Sequence, residues 1–144
     1  MPSRGSALLP LLIVGSMLLV GCQPKPKPTP PPPPPPATMS DAGRIQADAQ
    51  QRDPHARAGL VVGVHLQDQN AAVSLVPVSQ QPAADDPNRV KEGSVFTFMD
   101  SSNTPIANGS VIYVEDGIFV IHYAPIEGGH APAVGDIALH LSTR

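Results

Sequence analysis

A run of prolines divides this chain of 144 residues. Residues 23–37 read QPKPKPTPPPPPPPA. Proline fixes φ and lacks an N–H donor, so this tract is excluded from the interior of helices and sheets. We expect a polyproline II rod that rises about 3.1 Å per residue, or roughly 45 Å in total. Such a rod would act as a spacer, and its Lys25 and Lys27 could contact anionic lipid headgroups.

The segment before the spacer is short and apolar. Arg4 provides a positive charge ahead of the apolar run 7–20. A membrane-spanning helix needs roughly 20 apolar residues, whereas the apolar region of a signal peptide needs about 7–15. The length of the run and the charge before it therefore predict a signal peptide over residues 1–21.

The apolar run ends in Leu19, Val20, Gly21 and Cys22. These residues resemble the lipobox of bacterial lipoproteins. The resemblance implies cleavage between Gly21 and Cys22, and a diacylglyceryl and palmitate anchor on Cys22. Two or three acyl chains hold a protein stably on a membrane, whereas one does so only marginally. Gln23, where Asp would favour the inner membrane, implies the outer membrane and a domain facing the periplasm. The alternative is an ordinary cleaved signal peptide with a chance cysteine, or a buried structural cysteine.

A second, polar segment follows the spacer at residues 38–58. Ser40 and Asp41 are typical of a helix N-cap and an acidic first turn, and Ala and Gln dominate the residues after them. Ile45 is the only large apolar side chain in the stretch from 42 to 52, so no buried stripe is evident. We expect a polar linker with a short marginal helix or disorder.

The remaining residues, 59–144, show the sequence pattern of β-strands. Six runs of five to seven residues are rich in β-branched and aromatic side chains and are bounded by Gly, Pro, Asn or Asp. Asp116-Gly117 is a typical hairpin turn between two of them. The prediction is an all-β domain of about six short antiparallel strands. The runs are 60–66, 72–78, 94–99, 110–114, 118–123 and 136–141.

The six runs look like two copies of a three-strand unit. Gly59 and Gly109 open similar G-x-V-x-x-V segments, and later runs align around Gly93 and Gly135. The repeats would cover 59–99 and 109–141, with a period of about 50 residues. Two arrangements fit this pattern, namely one small barrel or sandwich and two tandem units.

The order of these motifs resembles small SH3-like or KOW-like β-barrels, which recur in bacterial envelope proteins. It consists of G-x-V-x-x-V, a hairpin, an apolar strand and then x-V-G-D-x-A. The resemblance covers residues 59–144, and it implies that Val134, Gly135 and Asp136 form the bend before the last strand.

No pattern in the chain indicates catalysis, a metal or a cofactor. The histidines fall in no metal-ligand spacing. The acidic pairs Asp85-Asp86 and Glu115-Asp116 lie in turns, where neighbouring side chains diverge. Cys22 is the only cysteine, so a lipidated chain has neither a thiol nucleophile nor a disulfide. We therefore predict no enzyme, no metal site and no cofactor. The histidines are His55, His65, His122, His130 and His140.

Charge limits the partners of the β domain. From residue 58 onward, three bases stand against nine acids, which gives a net charge of −6. Nucleic-acid binding needs a basic face and is disfavoured. We expect a membrane-anchored, non-catalytic interaction module that docks on an envelope protein. The alternative is a module that binds peptidoglycan or a small ligand. The loops 79–89 and 125–133 are the expected contact sites.

Overall fold

The structure, a computed structural model, describes residue 21 and residues 24–142. The predicted lipid attachment at Cys22 and the lipobox residues Leu19 and Val20 lie outside the described residues. The chain divides into two compact units, Met1–Pro32 and Pro33–Arg144. In the first unit, the described residues are exposed and contain no helix or strand. Within the described residues, no helix is long and apolar enough to cross a membrane.

The described residues of the second unit form one helix and a six-stranded barrel. All strand pairs are antiparallel, and the closed barrel has the order β1-β2-β5-β4-β3-β6. This confirms the predicted all-β domain of six strands and shows that it forms one barrel. The elements are α1 (Met39–Gln50), β1 (Arg57–His65), β2 (Asn70–Leu75), β3 (Val95–Met99), β4 (Pro105–Glu115), β5 (Ile118–Pro125) and β6 (Ile137–His140).

Alternate side chains of the strands fill the barrel. Successive strand residues point to opposite faces, so one set of apolar residues faces inward. Phe98 and Tyr123 meet edge to face, with ring centroids 6.2 Å apart. The largest fully buried side chains are Tyr123, Phe96, Phe98, Ile121, Val61 and Val73.

An internal two-fold relation links β1–β3 to β4–β6. Gly59 and Gly109 occupy equivalent positions in the β1–β2 and β4–β5 hairpins. Each hairpin has one bulge at the same place, with Val62 and Ile112 as the extra residues. The two hairpins pair with each other through β2 and β5, with Ala72 opposite Val120 at the centre of the seam. The two segments therefore have equivalent strand registers.

Neither three-strand segment closes on its own. Within the first segment, β3 pairs with β4 and β6, whereas β1 pairs with β2 and β6. The strands of the two segments are therefore interleaved around one ring. Two tandem SH3-like units are wrong as a description of this chain, because four of the six strand pairs join one segment to the other.

Two glycine bends repeat the relation outside the strands. Gly93 and Gly135 have positive φ angles of 85° and 95°, which favour glycine. The Gly93 N–H donates to Val111 O at 2.8 Å, and the Gly135 N–H donates to Val61 O at 2.9 Å. The second bend is the one expected before the last strand, and it leads directly into β6.

Helix α1 belongs to the folded unit. Thr38, and not Ser40, is its N-cap, and Thr38 and Asp41 form a capping box. The helix packs on β1, where Ala42 is fully buried and Gln46 is 7% exposed. The Gln46 Oε1 accepts a hydrogen bond from the Ala58 N–H at 2.9 Å. Residues 39–50 are therefore helical and contact β1 through small and polar side chains.

Gly109, where two backbones approach closely, should resist substitution. A Cβ at Gly109 would lie 2.6 Å from both His122 O and Ile121 Cγ2, whereas one at Gly63 would lie 3.6 Å from Ala72 Cβ. We expect Gly109→Ala to lower the free energy of unfolding by about 1–3 kcal/mol, as overpacking does. Urea denaturation measures the change. Gly63→Ala is the control, and an equal loss in both variants would contradict the close approach at Gly109.

The helix contact gives a second prediction. Gln46→Ala leaves the buried Ala58 N–H without its acceptor, and an unsatisfied buried donor costs about 1–3 kcal/mol. The exposed Asp48 on the same helix is the control, and Asp48→Ala should change stability by less than about 0.5 kcal/mol. Thermal unfolding followed by circular dichroism compares the two variants. Equal stability would mean that the hydrogen bond from Ala58 to Gln46 does not stabilise the fold.

Candidate functional site

A groove of about 760 Å³ lies on the side of the barrel. It lies between the start of β1, the end of β2, the connection from β2 to β3 and the β4–β5 hairpin. This volume lies in the range of about 300–1,000 Å³ that is typical of small-molecule sites. The lining residues are Arg57, Leu75, Val76, Pro77, Val78, Gln81, Pro82, Arg89, Val90, Lys91, Glu92, Val114, Gly117 and Phe119.

The groove lies where the two-fold relation is broken. Equivalent residues are 48 positions apart at Ala72 and Val120, but 42 apart at Gly93 and Gly135. The β2–β3 connection is therefore six residues longer than the β5–β6 connection. One wall of the groove is formed by residues of this longer connection that lie between Gln81 and Glu92.

The shorter β5–β6 connection packs onto the barrel. The Ile126 N–H donates to Ile106 O at 3.1 Å, and Ala131 packs against the core. A Cβ at Gly129 would collide with the Ile106 carbonyl, so the chain passes very close to β4 there. Loop 125–133 lines neither of the two cavities, whereas loop 79–89 contributes to both.

Three cationic side chains line the groove. They are Arg57, Arg89 and Lys91, and they are all the arginines and lysines that the structure describes from β1 onward. The ion pairs within residues 24–142 are Arg44–Asp41 and His65–Asp68, so none of the three cations is paired there. The acidic residue Glu92 also lines the groove. The lining therefore carries three positive charges against one negative charge.

Arg57 is the most constrained of these cations. It is the first residue of β1 and is half-buried, and its Nη2 donates to Val76 O at 2.8 Å. Its Nε is buried and has no hydrogen-bond partner among the described residues. Burial lowers the pKa of the Arg57 guanidinium. An arginine stays charged under these conditions, so Arg57 presents a half-buried positive charge with an unused donor at its buried Nε.

The rest of the groove is mostly apolar. Leu75 and Phe119 are partly buried and pack against the core, and Val90 is 7% exposed. Val114 is 43% exposed at the β4–β5 hairpin. Apolar walls with a few placed charges are the usual composition of a ligand site.

A smaller cavity of about 290 Å³ adjoins the groove and shares Arg89, Lys91 and Glu92 with it. His140 also lines this cavity; its side chain is buried, and its ring lies 5.3 Å from that of Phe96. The His140 Nδ1 is 2.7 Å from Val95 O. A carbonyl only accepts, so Nδ1 carries the proton in this bond, and a neutral ring keeps Nε2 as an acceptor.

The other histidines are spread around the barrel. His65 lies 2.8 Å from Asp68, while the Nδ1 of His122 is 3.1 Å from Asp68 O. His130 contacts Ala131 O. Over residues 24–142, no three His, Cys, Asp or Glu side chains converge in a way that could hold a metal ion.

The acidic pairs have structural contacts in turns. The Asp86 carboxylate accepts a hydrogen bond from the Asn88 N–H at 2.8 Å. Asp116 and Gly117 both have positive φ, at 50° and 78°, as the tip of the β4–β5 hairpin requires. Asp86 and Asp116 therefore serve turn geometry, whereas Glu115 is the last residue of β4.

Reasoning from the sequence missed most of the groove. Loop 79–89 was expected to be a contact site, but Arg57 and Phe119 come from distant segments that only the barrel brings together. One signal was present in the sequence, since Arg89 and Lys91 flank the end of the longest irregular segment of an otherwise acidic domain.

Comparison of the chain with protein families, with curated proteins and with solved structures finds no match.

Proposed function

We propose that this protein is a lipid-anchored, non-catalytic binding module of the bacterial cell envelope, and that the groove is its ligand site. The observation that carries the proposal is the convergence of Arg57, Arg89 and Lys91 in one groove of an acidic domain. A rigid closed barrel with one elaborated loop is a common arrangement for binding, because the scaffold positions the loop. The groove favours a small ligand over docking on a large flat surface.

The anchor part of the proposal rests on sequence. The four residues from Leu19 to Cys22 end an apolar run of signal-peptide length, and Pro-rich residues follow at once. We propose lipid on Cys22, cleavage after Gly21, and an outer-membrane location facing the periplasm. The tract from Gln23 onward would then hold the barrel away from the lipid surface.

The proposed spacer ends at the barrel. The Ala37 N–H donates to Gly135 O at 3.2 Å, and a Cβ at Gly135 would lie 2.7 Å from Pro36 Cβ. The tract therefore meets the folded unit beside the bend that precedes β6. Only the residues before Pro36 would be free to act as a tether.

The second candidate is docking on an envelope protein, with a barrel that resembles SH3-like or KOW-like modules in this role. It is favoured by three consecutive side chains on β4 that are 42–44% exposed, namely Ile112, Tyr113 and Val114. Tyrosine with aliphatic neighbours is common in the centre of protein interfaces. Val114 also lines the groove, so a bound segment could cover both.

The anchor is tested by Cys22→Ser. We expect the variant to lose incorporation of labelled palmitate and to leave the membrane fraction, because no other thiol in the chain can carry the diacylglyceryl group. Ser16→Ala in the apolar run is the control and should retain both properties. Palmitate that stays on Cys22→Ser, or unchanged membrane attachment, would contradict the lipoprotein assignment.

The groove is tested by a six-residue deletion. Removing residues 79–84 gives the β2–β3 connection the length of its β5–β6 equivalent, which already spans the same distance. We expect the variant to fold, because the second half of the barrel folds with the shorter connection. We also expect it to lose its ligand in cells.

In-cell crosslinking and co-sedimentation with purified peptidoglycan provide the measurements. Loss of either association in the deletion variant, with its circular dichroism spectrum unchanged, supports binding through the groove. Co-sedimentation favours a cell-wall ligand, whereas one stoichiometric crosslinked protein favours docking. If a folded deletion variant keeps every association, the groove is not the binding site.

A further inference from the structure

We infer that the groove binds a small amphipathic carboxylate, with the anionic head against Arg57, Arg89 and Lys91 and the apolar body against Leu75, Val114 and Phe119. The inference rests on the proposed function, in which the groove is the ligand site. It adds the chemical class of the ligand, since both the head group and the body follow from the residues that line the groove.

The charge distribution indicates an anion. The described barrel residues include nine acids, and eight of them lie outside the groove lining, whereas all three described barrel cations lie within it. Like charges that share one concave site repel each other. No ion pair within residues 24–142 relieves it at these three side chains. A bound anion would relieve the repulsion.

The unused donor of Arg57 favours a carboxylate as the anion. A buried N–H without a partner costs free energy, and the Nε of Arg57 is in that state in the described structure. The Nη2 is held on Val76 O, so the plane of the guanidinium is oriented by β2. Arginine recognises a carboxylate through paired N–H donors of such an oriented plane.

The apolar walls of the groove and the negative charge of Glu92 define the rest of the ligand. Leu75 and Phe119 present apolar surface that belongs to the edge of the core, so a fully polar anion would leave it uncovered. Glu92 reduces the lining to a net charge of +2, which suits a singly charged head better than a polyanion. Acyl or aryl carboxylates and the C-terminal carboxylate of an apolar peptide share this chemistry.

The experiment uses the full lipidated chain in nanodiscs of neutral phosphatidylcholine and follows Leu and Val methyl resonances. One arm titrates 4-phenylbutyrate against its uncharged amide, and a second titrates acetyl-Leu-Val against acetyl-Leu-Val amide. We expect at least one carboxylate to shift the methyl signals of Leu75 and Val114, and its amide to bind at least tenfold more weakly. The arm that binds more tightly identifies the source, whether a free organic acid or a peptide end.

Charge-neutralising variants complete the test. Arg89→Gln and Lys91→Gln should each weaken carboxylate binding by about tenfold, as expected for the loss of one charged hydrogen bond, and leave amide binding unchanged. Arg57→Gln should do the same if it folds. Arg52→Gln, an exposed cation outside the groove, is the control and should change nothing.

Three outcomes would overturn the inference. They are equal binding of carboxylate and amide, unchanged carboxylate affinity in folded Arg89→Gln and Lys91→Gln, and failure of both carboxylates to bind. The first two would still leave the groove as a ligand site, so the proposed function would stand with a different ligand. Loss of cellular association in the 79–84 deletion remains an independent measurement of that function.

Discussion

Closure of the six-stranded ring is the constraint on which the rest of the structure depends. A sheet edge exposes unpaired N–H and C=O groups, and a closed barrel has no such edge. Here the ring closes only because β1 of the first segment pairs with β6 of the second, and β3 pairs with β4. The close approach of backbones at Gly59 and Gly109 allows both hairpins to curve into the ring. Half of the barrel is therefore not a smaller barrel but one hairpin and a strand that pairs only with the other half.

The groove exists because this two-fold relation is imperfect. The β2–β3 connection of the first half is equivalent to the β5–β6 connection of the second half. Six extra residues in the β2–β3 connection produce a cavity with a wall of its own. In the other half, the shorter connection lies against the barrel, with the Ile126 N–H bonded to Ile106 O and Ala131 packed on the core. The symmetric part of the structure thus stabilises the fold, and the asymmetric part carries the candidate site.

Much of the barrel could be predicted from the sequence, because alternation of apolar side chains and the paired glycines leave a periodic signal. Helix α1 could not be assigned with its contacts, since it is buried through Ala42 and Gln46, and neither residue marks an apolar stripe. The interleaving of the halves was equally out of reach, because a repeat in sequence does not say which strands pair. The groove needed that pairing, since Arg57 and Lys91 are 34 positions apart in the chain.

The unpaired cations are the part of the barrel that stability alone does not explain. Acidic residues outnumber basic residues in the domain. An acidic residue placed opposite Arg57 or Lys91 would have formed an ion pair, and at Arg57 it would have satisfied the buried Nε donor. Instead, the carboxylate of Asp86 in the neighbouring loop bonds its own backbone at Asn88. Residues that break local rules without a compensating contact are where function is expected, because natural sequences otherwise agree with their structures at every level. A bound anion would complete the hydrogen bonding of the Arg57 Nε and offset the positive charge of Arg89 and Lys91 in the same groove.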